Sequence, residues 1–181
     1  GVEKARVGAR LATVRILNKE PALAVDSLRK SEVAGVPLDL AAQRTQLRAR
    51  ALIDLGRQAQ AIEILKEDES READLLRGEV YWKAQAWPQA IEVFKRLVIY
   101  TGAAPGKQLD ERQARYVLNL GVVLALAGDE ATSARLRGDY GSAMDNTPFK
   151  DAFRLIASAD SKGLVDFRSV ASKVKTVSNF K

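Results

Sequence analysis

The sequence predicts an all-α protein, and more narrowly an α–α superhelix: a solenoid of helical hairpins with a helical cap at its C-terminal end. Apolar residues recur at helical spacing along almost the whole chain, and no stretch alternates as a strand would. One spacing also repeats: a small residue, another small residue twelve positions later, and a large apolar residue four beyond that. It reads Ala12, Ala24 and Leu28, then Ala49, Ala61 and Leu65, then Gly78, Ala90 and Phe94. Small residues let two antiparallel helices cross closely, and repeated hairpins of this kind build a solenoid.

The first hairpin is predicted from an apolar face and from the positions of proline and glycine. The apolar face of its first helix consists of Val7, Leu11, Val14 and Leu17. Pro21 opens the second helix, because proline is tolerated in the first turn. Gly35 and Pro37 then interrupt the helical pattern.

The second and third hairpins follow the same plan. A third helix is predicted over about residues 38–55, and Gly56 ends it because glycine readily adopts the left-handed backbone conformation. The fourth helix contains Ala61 and Leu65 and ends in an acidic turn. After the fifth helix, Trp87 and Pro88 begin the sixth.

The C-terminal part is predicted to contain a last hairpin, a linker and two capping helices. The seventh helix spans about residues 110–127, a short helix follows over 129–136, and residues 138–147 form a polar linker. Thr147 caps one amphipathic helix and Asp166 caps another. The predicted domains are therefore a hairpin array over 1–137, the linker 138–147, and capping helices over 148–181. The four hairpins span about 5–34, 38–68, 70–101 and 110–137.

The absence of cysteine and histidine limits the chemistry available to this chain. There is no disulfide, no thiol nucleophile and no imidazole base, and few residues could bind a transition metal. The remaining side chains assemble no set of nucleophile, base and orienting group. We therefore predict a protein that is not an enzyme and that binds no cofactor or metal. No apolar run approaches 18 residues, so no membrane span is predicted.

Charge is distributed unevenly along the sequence. Residues 1–60 carry 11 basic and 6 acidic side chains, residues 61–161 carry 13 and 16, and residues 162–181 carry 5 and 1. Both ends are thus positive and the middle is negative. Such a separation suits contacts between chain ends or an ionic partner surface, while ordinary solvated surface charge is the simpler explanation.

Two hairpins contain a set of residues that identifies a family resemblance. The third hairpin contains Gly78, Tyr81, Ala90 and Phe94, and the second contains Ala49, Leu52, Gly56, Ala61 and Leu65. Their order and spacing resemble the tetratricopeptide repeat, a helical hairpin with a period of about 34 residues. The resemblance covers about residues 1–137. The fourth hairpin departs from it, because Arg137 stands where a large apolar residue belongs.

In the tetratricopeptide family, the first helix of each hairpin lines a concave groove that binds peptides or partner proteins. The groove implied by the resemblance contains Arg6, Ala9 and Thr13; Gln43, Gln46, Arg50 and Asp54; Glu72, Leu75, Glu79, Trp82 and Lys83; and Arg115, Leu118 and Val122. Trp82 is the foremost candidate hot spot, because interface energy concentrates on Trp, Tyr and Arg. A core position is equally typical of a tryptophan. The pairs Arg50 with Asp54 and Glu79 with Lys83 are four residues apart, and solvated ion pairing is their simpler role.

The main functional hypothesis is a non-enzymatic scaffold that binds a peptide or partner protein in this groove. Because the chain begins with Gly1 and is rich in Ala and Arg, we expect the C-terminal portion of a longer bacterial protein. One alternative is self-association or docking within a larger protein. Another is binding of RNA or an anionic surface through the basic ends, although nucleic acid and membrane are not the expected partners. The compartment, cytoplasmic or periplasmic, stays open.

Overall fold

The computed structural model describes residues 1–157, and every regular element in that range is an α-helix. The all-α prediction is confirmed for this part of the chain. The helices are α1 (Val2–Leu17), α2 (Pro21–Lys30), α3 (Leu38–Asp54), α4 (Gln58–Leu65), α5 (Arg71–Lys83), α6 (Trp87–Tyr100), α7 (Glu111–Ala127), α8 (Glu130–Met144) and α9 (Lys150–Ala157). The capping helix predicted from Asp166 lies outside the described residues.

The chain forms two compact units, and the boundary between them lies within α5, between Leu76 and Arg77. In the first unit, α1 packs against α2 and α3, α2 packs against α3, and α3 packs against α4. In the second unit, α7 packs against α6, α8 and α9, and α8 also packs against α9. Helices that are consecutive in sequence therefore form hairpins in each unit.

The repeated small and large residues form the close helix contacts that their spacing predicts. All nine residues of the repeated pattern are buried. Ala12, Ala24 and Leu28 belong to one core cluster, which also includes Ala51 of α3. At Gly78 of α5, a Cβ atom would lie only 3.4 Å from the Val93 side chain of α6. The pattern thus located the core of the first three hairpins correctly.

Helix α1 is buried on its small-residue face rather than on its large apolar face. The buried residues are Ala5, Gly8, Ala9 and Ala12. The large apolar residues Val7, Leu11, Val14 and Leu17 are all exposed. Because small side chains let helix backbones approach closely, packing against α2 and α3 selects the alanine face and leaves the apolar stripe uncovered.

Arg44 of α3 links the second hairpin to the first. Its guanidinium is buried and donates hydrogen bonds to the carbonyl oxygens of Ala5 and Leu28, both at 2.7 Å, and to Ser31 Oγ at 3.1 Å. The Glu32 carboxylate lies 3.5 Å from the same guanidinium. Bonds from a charged donor are stronger than neutral ones, so this side chain ties α3 to both helices of the first hairpin.

In the second unit, α9 completes the packing of the last predicted hairpin. A Cβ atom at Gly121 of α7 would lie 3.5 Å from Leu136, 3.6 Å from Phe153 and 3.8 Å from Ile156. Phe153 and Ile156 belong to α9 and are buried. These two side chains supply apolar surface in a hairpin where the sequence has Arg137 in place of the expected large apolar residue.

The linker predicted over residues 138–147 is wrong over its first seven residues, because α8 continues to Met144. Its glycines and polar residues suggested a break after Leu136. The helix continues because Leu136, Tyr140 and Met144 recur every fourth residue and are all buried. Burial of one continuous face outweighs the low helix propensity of Gly138.

A stability measurement tests this helix extension. We expect Gly138→Ala to raise the free energy of unfolding by about 0.5–1 kcal/mol, because alanine restricts the unfolded chain and favours a helix. Gly138 is exposed, and a Cβ atom there meets no atom within 4 Å. Urea unfolding followed by circular dichroism measures the change. A lower stability of the alanine variant would contradict a helical backbone at residue 138.

Helix α9 begins at Lys150, two residues later than the predicted start at Pro148. The Thr147 hydroxyl accepts a hydrogen bond from the Phe149 N–H at 3.3 Å, which forms a turn before the helix. Arg154 then donates two hydrogen bonds, of 3.0 and 3.1 Å, to the carboxylate of Asp145 just after α8. This guanidinium lowers the pKa of Asp145 below its usual range. The ion pair therefore joins α9 to the end of α8.

Candidate functional site

A polar cleft lies between α1 and α3 in the first unit. It has a volume of about 330 Å³, and its lining consists of Arg6, Ala9, Arg10, Thr13, Asp39, Leu40 and Gln43. We call it the α1–α3 cleft. The set contains four of the residues that the tetratricopeptide resemblance implies for a groove: Arg6, Ala9, Thr13 and Gln43. It also contains Arg10 and Asp39, which were not among the predicted groove residues.

Helical spacing positions the side chains of the cleft. Arg6, Arg10 and Thr13 follow each other by four and three residues, so they share one face of α1. Asp39 and Gln43 are four residues apart on α3 and stand on the facing helix. From the sequence, Arg10 could have been identified only by its position four residues after Arg6, which places both side chains on one face of the helix.

The floor of the cleft is apolar and narrow. Ala9 and Leu40 are buried and belong to the same core cluster, together with Ala5. Because Ala9 has a short side chain, α3 approaches α1 closely and the polar side chains stand at the rim. The Thr13 hydroxyl donates to the carbonyl oxygen of Ala9 at 3.0 Å, so its oxygen keeps lone pairs for a ligand donor.

Two guanidinium groups in the cleft have no ion-pair or hydrogen-bond partner in the part of the chain that the structure describes. They belong to Arg6 and Arg10, which are exposed. By contrast, Arg15 pairs with Glu20 at 2.7 Å and Arg44 has the four partners described above. Like charges at i,i+4 on a helix destabilise it slightly. The two arginines therefore offer unsatisfied donors in a cleft that also contains one carboxylate, Asp39.

Further along α3, the remaining predicted groove residues bind one another or nearby loops. Gln46 Nε2 donates to Asp68 Oδ2 at 2.9 Å and to Ser70 Oγ at 3.3 Å, which holds the turn before α5. Arg50 pairs with Asp54 at 2.8 Å, as the i,i+4 spacing predicts. These side chains are already partnered, and of the four α3 residues only Gln43 lines the cleft.

The candidates on α5 differ in their accessibility. Glu72 is exposed. Glu79 is largely buried and pairs with exposed Lys83 at 3.1 Å, as the spacing predicts. Burial leaves the Glu79 carboxylate little surface for a partner.

Trp82 is half-buried and packs within the third hairpin. Its ring centroid lies 6.0 Å from that of Trp87 in an edge-on arrangement, and 6.0 Å from that of Phe94 in a tilted one. Aromatic pairs at this separation stabilise a fold beyond the area they bury. An alanine at position 82 would therefore perturb hairpin packing as well as any surface contact, which makes Trp82 a poor single reporter of binding.

The α7 candidates are mostly unavailable to a partner. Leu118 and Val122 are fully buried, so the groove role implied for them is wrong. They face the core because α7 is packed by α6, α8 and α9. Arg115 pairs with Glu111 at 3.2 Å and stacks 5.9 Å from the centroid of the Phe149 ring. That arginine is thus engaged at the junction with α9.

The structure also bears on two other classes of site, metal centres and membrane spans. Within residues 1–157, no group of three or more acidic side chains is arranged to hold a metal ion. No helix in the same range is long and apolar enough to cross a membrane.

Comparison with protein-family models, with curated proteins and with solved structures finds no match to this chain. The tetratricopeptide resemblance therefore stays a prediction that rests on the quoted residues.

Proposed function

We propose that the protein is a non-enzymatic interaction scaffold that binds a peptide segment of a partner protein, and that the α1–α3 cleft is its anchoring site. The observation that carries the proposal is the pair of unpartnered guanidiniums of Arg6 and Arg10 at the rim of this cleft, within the described residues. Arginine is among the residues that most often dominate interface energy. Its planar donors suit a carboxylate in a two-bond arrangement.

The size and lining of the cleft favour a peptide over a small metabolite. A volume of about 330 Å³ is at the small end of ligand pockets, enough for one or two side chains. Two rows of side chains line the cleft, Arg6 with Arg10 on α1 and Asp39 with Gln43 on α3. An extended peptide that places an acidic side chain between the arginines satisfies both rows, because the Gln43 amide can bond the peptide backbone.

A displayed library of random peptides tests this function even though the partner is unidentified. We expect peptides selected on the wild-type protein to be enriched in Asp and Glu. Arg10→Ala should weaken the selected peptides by roughly 30-fold, the loss typical of a hot-spot arginine. Affinity is measured by fluorescence anisotropy with purified full-length chain.

Arg57→Ala is the matched control, since Arg57 is exposed and lies outside the cleft. It removes the same charge and should change affinity less than about twofold. Equal losses in both variants would mean that binding follows net charge alone. No enrichment, or full binding by Arg10→Ala, would remove the cleft as the anchoring site.

A further inference from the structure

The α1–α3 cleft contains charges of both signs, and its carboxylate is as free as its guanidiniums. Asp39 is exposed near the start of α3 and lines the cleft together with the arginines of α1. Within residues 1–157, the Asp39 carboxylate has no ion-pair or hydrogen-bond partner. The charged groups of the lining are therefore two free guanidiniums and one free carboxylate, with a net charge of +1.

These opposite charges line one small space without neutralising each other. In the described part of the chain, no ion pair joins Asp39 to Arg6 or Arg10. Elsewhere in the first unit such charges do pair, as Asp26 does with Arg29 and Lys30, both at 2.7 Å. In the cleft, the two signs belong to different helices, whose axes are about 8–10 Å apart when packed. Both signs thus remain available to a single ligand.

The position of Asp39 also has a consequence for helix stability. It belongs to the first turn of α3, where a carboxylate offsets the positive end of the helix dipole. That contribution depends on the charge of residue 39 and not on any ligand. It changes the free energy of unfolding and leaves ligand preference unaltered, so ligand preference is the measurement that separates the two roles.

The separation of the two signs restricts the spacing of charges in a peptide ligand. Side chains at i and i+2 of an extended peptide lie on the same face, about 7 Å apart, while the side chain between them points away. An acidic and a basic side chain at this spacing can enter a cleft of about 330 Å³ together. A spacing of four residues would separate them by about 13 Å, more than the distance between packed helix axes.

Asp39 also disfavours ligands that are negative throughout. A nucleic-acid backbone or a run of acidic residues would place a further negative group beside the Asp39 carboxylate, and juxtaposed like charges weaken binding. The lining, with its net charge of +1, therefore favours a ligand with one charge of each sign over a polyanion.

We propose that the α1–α3 cleft recognises a dipolar motif in an extended segment of a partner protein. In this motif, Arg6 and Arg10 bind an acidic residue, and Asp39 binds a basic residue two positions away. The inference rests on the proposed peptide-binding function and names the class of ligand for the same site. The arginines supply the charge-assisted hydrogen bonds to the acidic residue. Asp39 supplies specificity, because it attracts the basic residue and repels a polyanion.

Peptides selected from the displayed library provide the probe. We expect their enriched acidic residue to have Lys or Arg two positions away on one side. Replacement of that basic residue by Ala should weaken binding to the wild-type protein about fivefold, the upper end for an exposed ion pair. Replacement by Asp should weaken binding further. Fluorescence anisotropy with the full-length chain measures each affinity.

Neutralisation of Asp39 tests whether it is the group that contacts the basic residue. Asp39→Asn should weaken the selected peptide about fivefold and change the affinity for its Ala-substituted form less than about twofold, because directly interacting groups give non-additive losses. Glu67→Gln is the matched control, since Glu67 is an exposed acidic residue outside the cleft. It should change the affinity for either peptide less than about twofold.

Reversal of the charge at residue 39 provides a second test that does not depend on a loss. Asp39→Lys should bind the Asp-substituted peptide more tightly than the selected peptide, which inverts the wild-type preference. A role in helix stability alone would lower the free energy of unfolding of this variant without that inversion. Urea unfolding followed by circular dichroism measures the stability and shows that the variant is folded.

The outcomes for this inference and for the proposed function are distinguishable. Selected peptides with an acidic residue but no basic residue at that spacing would overturn the dipolar motif and leave the peptide-binding function standing. Equal losses of both peptides on Asp39→Asn would do the same. Tighter wild-type binding of the Asp-substituted peptide than of the selected peptide would assign the cleft to a polyanionic ligand. Binding that Arg10→Ala leaves intact would remove the proposed function and the motif together.

Discussion

Replacement of Arg44 by methionine is expected to lower the free energy of unfolding by about 3 kcal/mol, a large part of the stability of a typical domain. The variant removes three hydrogen bonds that a charged, buried guanidinium donates. The carbonyl oxygens of Ala5 and Leu28 then lose this donor at a buried site. Methionine preserves much of the side-chain volume, so the loss reports the polar contacts more than a cavity. Urea unfolding followed by circular dichroism gives the free energy.

Arg48→Met provides a matched control one turn further along α3. Arg48 also contacts Glu32, at 3.1 Å, but its side chain is 36% exposed whereas that of Arg44 is 6% exposed. Exposed ion pairs contribute about 1 kcal/mol or less, so this variant should change stability little. Similar losses in the two variants would show that Arg44 acts only through its charge on Glu32 and that its carbonyl contacts add nothing.

Gly8→Ala is expected to destabilise the first hairpin by about 2 kcal/mol, within the range for overpacked cores. A Cβ atom at residue 8 would lie 1.8 Å from Ser31 Oγ and 2.3 Å from Ser31 Cβ. The Cβ of serine is fixed to its backbone, so rotation of the side chain cannot relieve the second contact. Helices α1 and α2 must separate instead, which also weakens the bond from Arg44 to Ser31. Thermal and urea unfolding both measure the loss.

A double variant separates steric overlap from other effects of alanine. Ser31→Gly removes both atoms that the new Cβ would meet, so Gly8→Ala should cost less in the Ser31→Gly background than in the wild type. We expect the two substitutions to be coupled by at least about 1 kcal/mol in this cycle. Additive losses would contradict a direct clash between residues 8 and 31.

The repeated spacing was enough to predict the helical hairpins, because it depends only on contacts between helices that are adjacent in the chain. Two antiparallel helices can cross closely only where both have small side chains, and the loop length fixes which residues meet. The structure confirms this at Ala12 with Ala24, where both side chains are fully buried. Helix ends were likewise predicted where one residue determines them. Gly128, for example, has a φ of 73° at the end of α7, a conformation that glycine adopts without strain.

The candidate site was predicted in part. Alignment of the hairpins with the tetratricopeptide pattern placed Arg6, Thr13 and Gln43 on helix faces that do meet in the cleft. It did not distinguish these from Arg50, which has the same position in its hairpin as Thr13 but pairs with Asp54. Whether a charged residue is available to a ligand depends on the neighbours within reach of its side chain, and those come from the surrounding turns and helices.

Sequence by itself determined the helical class, the hairpin order and the small residues at each crossing, because these follow from contacts between helices adjacent in the chain. Only the tertiary structure decided which face of α1 is buried, how far α8 extends, and that Arg44 is an internal link. The apolar stripe from Val7 to Leu17 has the stronger hydrophobic pattern, yet the alanine face is buried because it lets α2 and α3 approach. Arg44 is buried because α1 and α2 present carbonyl acceptors to it, an arrangement between residues up to 39 positions apart.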